Sequence, residues 1–346
     1  MSRRETRMTD NECFSEPWAK HSLPRGNRSF LIIPVCVIAG LFLVPGCGNG
    51  QSAVELYVDA VMLRELDQNE LAAEKLNSAV KADKDFLPAY SLLGRIYEHL
   101  DRPEESAAAY EKATQLNAWS FEDHFNLGRV YQGLRQFAKA VKAYARACEL
   151  KPDHFEAHLQ AARSYYEVSD YADALTYGRR AGQIEPNHYD LQKLLGDIYK
   201  VQKDYTPAID AYQRALAIDS NDPAVLTSLA AAYVNTGEVE PAKQLLESAL
   251  ELDPNQAVAY QYLGYCHLLL SEGDLAIQNY KRALAIDEND WDTLRQLGAA
   301  YMLKALDEND SRLKAAAVMQ WRLSLDINPN QPQGNKLRQL IRKYSQ

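Results

Sequence analysis

A period of thirty-four residues runs through this chain from Leu87 to Asp290 without an insertion or deletion, and few architectures can accommodate that. One unit reads Tyr90, Leu93, Gly94, Tyr97, then Tyr110 and Ala113. The next reads His124, Leu127, Gly128, Tyr131, then Ala140, Tyr144, Ala147 and Pro152. The same places recur as His158, Ala161, Ala162, Tyr165, Ala174, Ala181 and Pro186, and as Leu195, Gly196, Tyr199, Ala208, Tyr212 and Ala215. They return as Leu229, Ala230, Tyr233, Ala242, Ala249 and Pro254, and as Tyr260, Leu263, Gly264, Ala276, Tyr280 and Ala283. In the first half of each unit a large residue is followed at +3, +4 and +7 by an apolar residue, Gly or Ala, and usually Tyr. That spacing lays one stripe along a helix. The small residue lets a partner helix come close, the later alanines supply the matching contact, and Pro152, Pro186 and Pro254 stop the second helix.

This pattern resembles the tetratricopeptide repeat (TPR), two antiparallel helices stacked in tandem. The resemblance implies an all-α fold, a right-handed α-solenoid of about eight helix-turn-helix repeats over residues 53–331. The units expected are 53–86, 87–120, 121–154, 155–188, 189–222, 223–256, 257–290 and 291–331. The ends depart from the pattern. In the first unit Asp59 and Ala60 stand where Leu-Gly belongs. The last keeps Leu294, Leu297, Gly298 and Tyr301 but gains seven residues before Ala317, Trp321 and Pro329. Seven residues are about two helical turns, so both helices could lengthen and keep their buried faces. Residues 332–346 contain the basic amphipathic run Lys336–Lys343 and are expected to form a C-terminal capping helix, with Leu337, Leu340 and Ile341 packed on the last repeat.

The other end reads differently. A polar, net-basic stretch precedes sixteen apolar residues, Phe30–Pro45, and Gly46-Cys47 follow. That layout belongs to an export signal, and the run falls short of the roughly 20 residues of a comfortable bilayer span. Leu43-Val44-Pro45-Gly46-Cys47 resembles the lipobox of bacterial lipoproteins, which implies acylation of Cys47, although Pro45 is unusual there. An uncleaved signal anchor is the alternative. Residues 1–46 are read as a leader and 47–52 as a short linker. Both of these leading readings place the repeats in the cell envelope, outside the cytoplasmic membrane and tethered to a bilayer; simple secretion is the third reading.

The formal charge is −9, of which the leader contributes +2, so the body carries −11. Such a body offers no footprint for a phosphate backbone, and nucleic acid is not expected as a partner. No phosphate loop, nucleophile elbow or zinc-protease motif is present, and once the repeats are assigned no stretch remains for a catalytic domain; neither enzyme activity nor a cofactor is expected. His154 and His158 have helical metal-ligand spacing, but His158 holds a packing place, so no metal is expected. Cys148 and Cys266 lie more than three repeats apart and read as small apolar residues.

Function must then come from the surface. The resemblance implies that first helices line a concave groove, with the residue after each Leu-Gly pair pointing into it. Arg95, Arg129 and Arg163 take that place in successive units, an arginine ladder suited to carboxylates or carbonyls of an extended peptide. Asn126, Asp197 and Lys200 join it, and further on Tyr265, Leu268 and Met302 make the groove apolar. The competing reading is structural: Glu98 and Glu167 lie at helical ion-pair spacings from Arg95 and Arg163. The expected role is a protein–protein interaction scaffold that holds a peptide or partner subunit, by family analogy in assembly of a pilus, secretin or export machine. The alternative is a regulatory or targeting subunit of a separate envelope enzyme acting on glycan or peptidoglycan.

Overall fold

The computed structural model describes residues 51–345; the leader, its apolar run and Cys47 lie outside the described residues. Those residues form seventeen α-helices and no strand. The helices come in antiparallel pairs: α1 (Ala53–Glu65) with α2 (Asn69–Ala82), α3 (Leu87–His99) with α4 (Pro103–Leu116), α5 (Phe121–Gly133) with α6 (Phe137–Leu150), and α7 (Phe155–Glu167) with α8 (Tyr171–Ile184). The series continues as α9 (Tyr189–Val201) with α10 (Tyr205–Ile218), α11 (Pro223–Thr236) with α12 (Val239–Leu252), α13 (Ala257–Leu269) with α14 (Gly273–Ile286), and α15 (Trp291–Asp307) with α16 (Ser311–Ile327). A single helix, α17 (Gly334–Tyr344), closes the stack against α16.

Local chemistry sets the joints. Each turn inside a pair places one residue in the left-handed region: Asp67, Asp101, Arg135, Ser169, Lys203, Gly237, Ser271 and Asn309. Only Gly237 adopts it without steric cost; the seven L-residues each carry strain of about 1–2 kcal/mol, which the packing on both sides sustains. Ser120, Asp222 and Asp290 accept backbone N–H groups at the start of α5, α11 and α15. At α7 the Nδ1 of His154 does so, 3.2 Å from the Ala157 amide, while its ring packs on Phe121. His158 is buried and hydrogen-bonds the Pro152 carbonyl through Nε2 at 2.9 Å. Neither histidine is placed as a ligand, and among the described residues no cluster of His, Cys, Asp or Glu could hold a metal.

Within a pair, the packing is a ring laid over a glycine. A Cβ built on Gly94, Gly128, Gly196 or Gly264 would come within 2.5–2.9 Å of the ring of Tyr110, Tyr144, Tyr212 or Tyr280. Gly298 stands in the same relation to Trp321. Where the first helix carries Ala60, Ala162 or Ala230 instead, the facing residue is Leu76, Gly178 or Leu246. Small residue and ring therefore change together, because the helices cannot approach with both a Cβ and an aromatic ring between them. The last pair spreads its seven additional residues over two 17-residue helices, four in α15 and three in α16 relative to the 13 and 14 of α13 and α14.

Cys148 and Cys266 are free and buried, and burial pushes their thiols up to about 12 and about 11. They are inert packing groups at neutral pH.

Candidate functional site: the inner surface of the helix stack

Successive first helices touch one another, α5 with α7, α7 with α9, α9 with α11, α11 with α13 and α13 with α15. Second helices of neighbouring pairs make no comparable contact. The stack therefore curves with its first helices inside, and the residues that follow each small residue of the first helix face that inner surface.

The arginine ladder lies there, and most of it is already engaged. Arg129 donates from Nη2 to Glu98 Oε2 at 2.6 Å, one repeat back, and to Asn126 Oδ1 at 3.4 Å. Arg163 pairs with Asp190 of the following repeat at 3.1 Å. The expected intrahelical partners, Glu98 for Arg95 and Glu167 for Arg163, are not the ones used. Stacking brings acids of neighbouring repeats closer than the next turn of the same helix. Arg95 is exposed and has no acidic partner within 4.0 Å among the described residues.

Behind the ladder a second row is satisfied in the same way. The Tyr110 hydroxyl donates to Glu98 Oε1 at 2.8 Å and the Tyr144 hydroxyl to Gln132 Oε1 at 2.9 Å. Gln132 Nε2 reaches Gln160 of the next repeat at 2.9 Å. The Tyr212 hydroxyl donates to Asp197 Oδ1 at 2.7 Å, and Lys200 Nζ donates to the same oxygen at 3.1 Å and to Ser228 at 3.2 Å. Burial and these acids push the Tyr110 and Tyr212 phenols far above the ordinary tyrosine range. Asp197 and Lys200, singled out by position, are thus a joined pair on the floor of the surface. Between repeats five and six Lys193 holds Asp222 at 2.8 Å. Burial works against the Asp222 carboxylate, but hydrogen bonds from Lys193, Tyr189 and the amides of Val225 and Ala224 outweigh it and hold its pKa down to about 2.

Past Asp197 the chemistry changes. Val234 and Leu268 occupy the place of Glu98 and Gln132, and the hydroxyl of fully buried Tyr280 finds no partner. A cavity of about 420 Å³ opens on this part of the inner surface, walled by Tyr262, Tyr265, Leu268, Arg295, Gln296 and Ala299. Gln296 gives its amide N–H to Asp292 at 2.6 Å, while its buried Oε1 has no donor. Arg295 is clamped on Asp292 at 2.5 Å. Sequence position alone points to Tyr265 and Leu268; it misses Gln296, whose signal is an unmet hydrogen bond, and Arg295, whose signal is its place on the cavity wall.

One expectation is corrected. Met302 is not a groove residue: it is 5% exposed and packs with Ala317, Trp321 and Leu337. Met302 lies in the core cluster that α15 shares with α16 and the cap, which takes it off the accessible surface.

The tetratricopeptide repeat family matches residues 87–118, 121–154, 160–223 and 201–264. The chain is a TPR protein. Among solved structures, this TPR chain is similar to one described as the APC/C hetero-tetramer Cut9-Hcn1, with 16% identity and a TM-score of 0.55. That alignment covers 84% of this chain and spans only 55% of the other, and the likeness is one of fold. PilF of Pseudomonas aeruginosa aligns at 19% identity with a TM-score of 0.48, over 60% of this chain and 93% of that one. YrrB, described as a TPR protein with an unusual peptide-binding site, aligns at 19% identity with a TM-score of 0.46, over 57% and 99%. Comparison with curated proteins finds no match.

Proposed function

We propose that this TPR protein is a membrane-tethered scaffold of the bacterial cell envelope that holds an extended segment of a partner protein on its inner surface. The observation that carries the reading is the cavity between Tyr265 and Gln296 with its unanswered buried acceptor. A buried carbonyl oxygen without a donor costs about 1–3 kcal/mol. With the Gln296 side chain turned toward the cavity, a partner's backbone N–H laid along it would supply that donor, and Tyr262, Tyr265 and Leu268 would receive an apolar side chain beside it. Arg95, with its guanidinium uncommitted, gives the opposite end of the surface a fork for a carboxylate or carbonyl. Arg129 and Arg163 act there as positioning residues, held by Glu98 and Asp190.

The tether is read from Leu43–Cys47. Metabolic labelling with a radioactive fatty acid tests it: label and membrane association should be present in wild type and lost in Cys47→Ala. Label retained by Cys47→Ala would remove the lipoprotein reading. The groove is tested by crosslinking from membranes with wild type, a Tyr265→Ala/Gln296→Ala variant and Arg95→Ala, with helicity checked by circular dichroism. Loss of one partner from the folded double variant and weakened capture by Arg95→Ala are expected. An unchanged set of partners in both variants would overturn the assignment.

A further inference from the structure

We propose that the two ends of the stack are the complementary halves of one head-to-tail contact, in which α1 of one copy docks beside α16 and α17 of the next. In every later first helix the place next to the preceding repeat is buried, as Ile96, Val130, Ser164, Ile198, Ala232, Cys266 and Ala300, and the place one turn before it is buried or half-buried, with Leu92 fully buried. In α1 the corresponding places hold Val58 and Met62, and Met62 is 61% exposed. With Val54 and Leu66 they form one apolar stripe at four-residue spacing, which no described residue covers. Single exposed apolar residues are ordinary; four in one row mark a contact surface.

The other end presents the matching shape. The capping helix α17 packs on α16 as a first helix would, but no second helix follows it among the described residues. A groove of about 690 Å³ remains between α16 and the end of α17. Val318, Met319 and Leu323 provide its apolar wall, and Met319 is 58% exposed. Lys314, Arg322 and Lys343 rim it, and none of the three has an acidic partner within 4.0 Å among the described residues. Along α16 the groove lining, polar at Ser311 and Lys314 and apolar from Val318, runs from Ser311 to Leu323, and the stripe on α1 from Val54 to Leu66. Each covers the same number of residues, roughly 18 Å of helix.

Charge selects the pairing. Helix α17 carries Lys336, Arg338, Arg342 and Lys343 and no acid. The first pair of helices carries Glu55, Asp59, Glu65, Asp67, Glu70 and Glu74, against Arg64, Lys75 and Lys81. Two first ends meeting would set acid against acid, and two caps base against base. Acids flanking the stripe also count against an anionic membrane as its occupant. Stripe to groove is the arrangement in which apolar faces and opposite charges both meet, and it is a heterologous contact that can extend from copy to copy.

The test uses the full chain, purified from membranes in detergent, as a Met62→Cys/Met319→Cys double variant and as each single variant. Mild oxidation of the double variant should give a ladder of covalent dimers, trimers and higher species. The single variants should look like wild type, which carries the same native cysteines and sets the background, Cys148 and Cys266 being buried. Adding Lys314→Glu and Arg322→Glu, or raising the salt concentration, should cut the ladder several-fold. A folded double variant that yields no more crosslinked species than wild type would sink the proposal, whatever else covers α1. So would Met62→Cys alone dimerising as well as the double variant, which would mean two first ends meet. Light scattering on the unmodified chain is independent of the cysteines: oligomers growing with concentration, and reduced to monomer by Met62→Asp, are expected. A wild-type chain that stays monomeric throughout would overturn the contact.

Discussion

The inner surface of this stack is built twice from one plan and finished in two ways. In repeats two to five the polar groups, Arg95 aside, answer one another from one first helix to the next or its cap: Glu98 with Arg129, Gln132 with Gln160, Arg163 with Asp190 and Lys193 with Asp222. In repeats seven and eight the same architecture carries Leu268 where Glu98 and Gln132 stand; the buried Tyr280 hydroxyl is unmet, and so is the Gln296 oxygen beside a cavity. Tyr110, Tyr144, Tyr212 and Tyr280 have the same glycine beneath them and the same burial. What separates them is one side chain on the facing helix. A groove whose hydrogen bonds are satisfied internally is stiff and has little to offer a ligand. One with unspent acceptors is the better binding surface.

The sharpest way to break that comparison is to remove single hydroxyls. Tyr212→Phe should cost about 2 kcal/mol in urea unfolding, because it withdraws a donor from the Asp197 carboxylate, while Tyr280→Phe should be neutral or stabilising. Equal losses in the two variants would mean that the Tyr280 hydroxyl has a partner after all. Acid comes next. The Asp222 carboxyl is held at about 2 in the folded protein, against an ordinary 3.8. Its folded pKa is depressed, so its contribution is complete above the ordinary value and disappears as pH falls from about 4 to about 2. Acid titration should therefore loosen the joint of repeats five and six within that window, and amide exchange at Val225 and Leu226 should report it; Asp222→Asn should flatten the response.

A smaller effect is expected from grafting one half's chemistry onto the other. Leu268→Gln places at Tyr280 the acceptor that Gln132 gives Tyr144. In that background Tyr280→Phe should turn from neutral to a loss of about 1 kcal/mol, a coupling that a double-mutant cycle measures directly. The smallest belongs to the Glu98–Arg129 pair. It is partly exposed, and its coupling should be roughly 0.5 kcal/mol or less and fade with added salt. A large, salt-insensitive coupling would mean that the pair braces the stack more than its exposure implies.

Much of the plan is legible in the order of the amino acids. The helix pairs can be read there because each packing contact recurs with the repeat: Gly over ring, alanine against alanine, proline after the second helix. The inner-surface places of Arg95, Arg129 and Arg163 follow from their position after the small residue. Their partners do not. Helical spacing assigns Glu98 to Arg95, yet Glu98 serves Arg129, thirty-one residues on in the chain. That distance is set by how one repeat sits on the next, and no helical period announces it. Met302 departs from expectation for a related reason. Its place in the repeat is that of Leu268, but in the last pair that place joins the core cluster of Ala317, Trp321 and Leu337.

The sequence by itself determined the repeating unit and the all-helical stack, because a period of thirty-four residues with fixed small and large places has one efficient way to bury its stripes. It also placed the apolar segment and Cys47 ahead of the repeats, outside the described residues. Only the tertiary structure decided which inner-surface groups are spent and which remain available, and which end of the stack is left apolar and which basic. Those are properties of pairs of residues brought together by stacking, and hydrogen bonds and exposure are settled between neighbours in space.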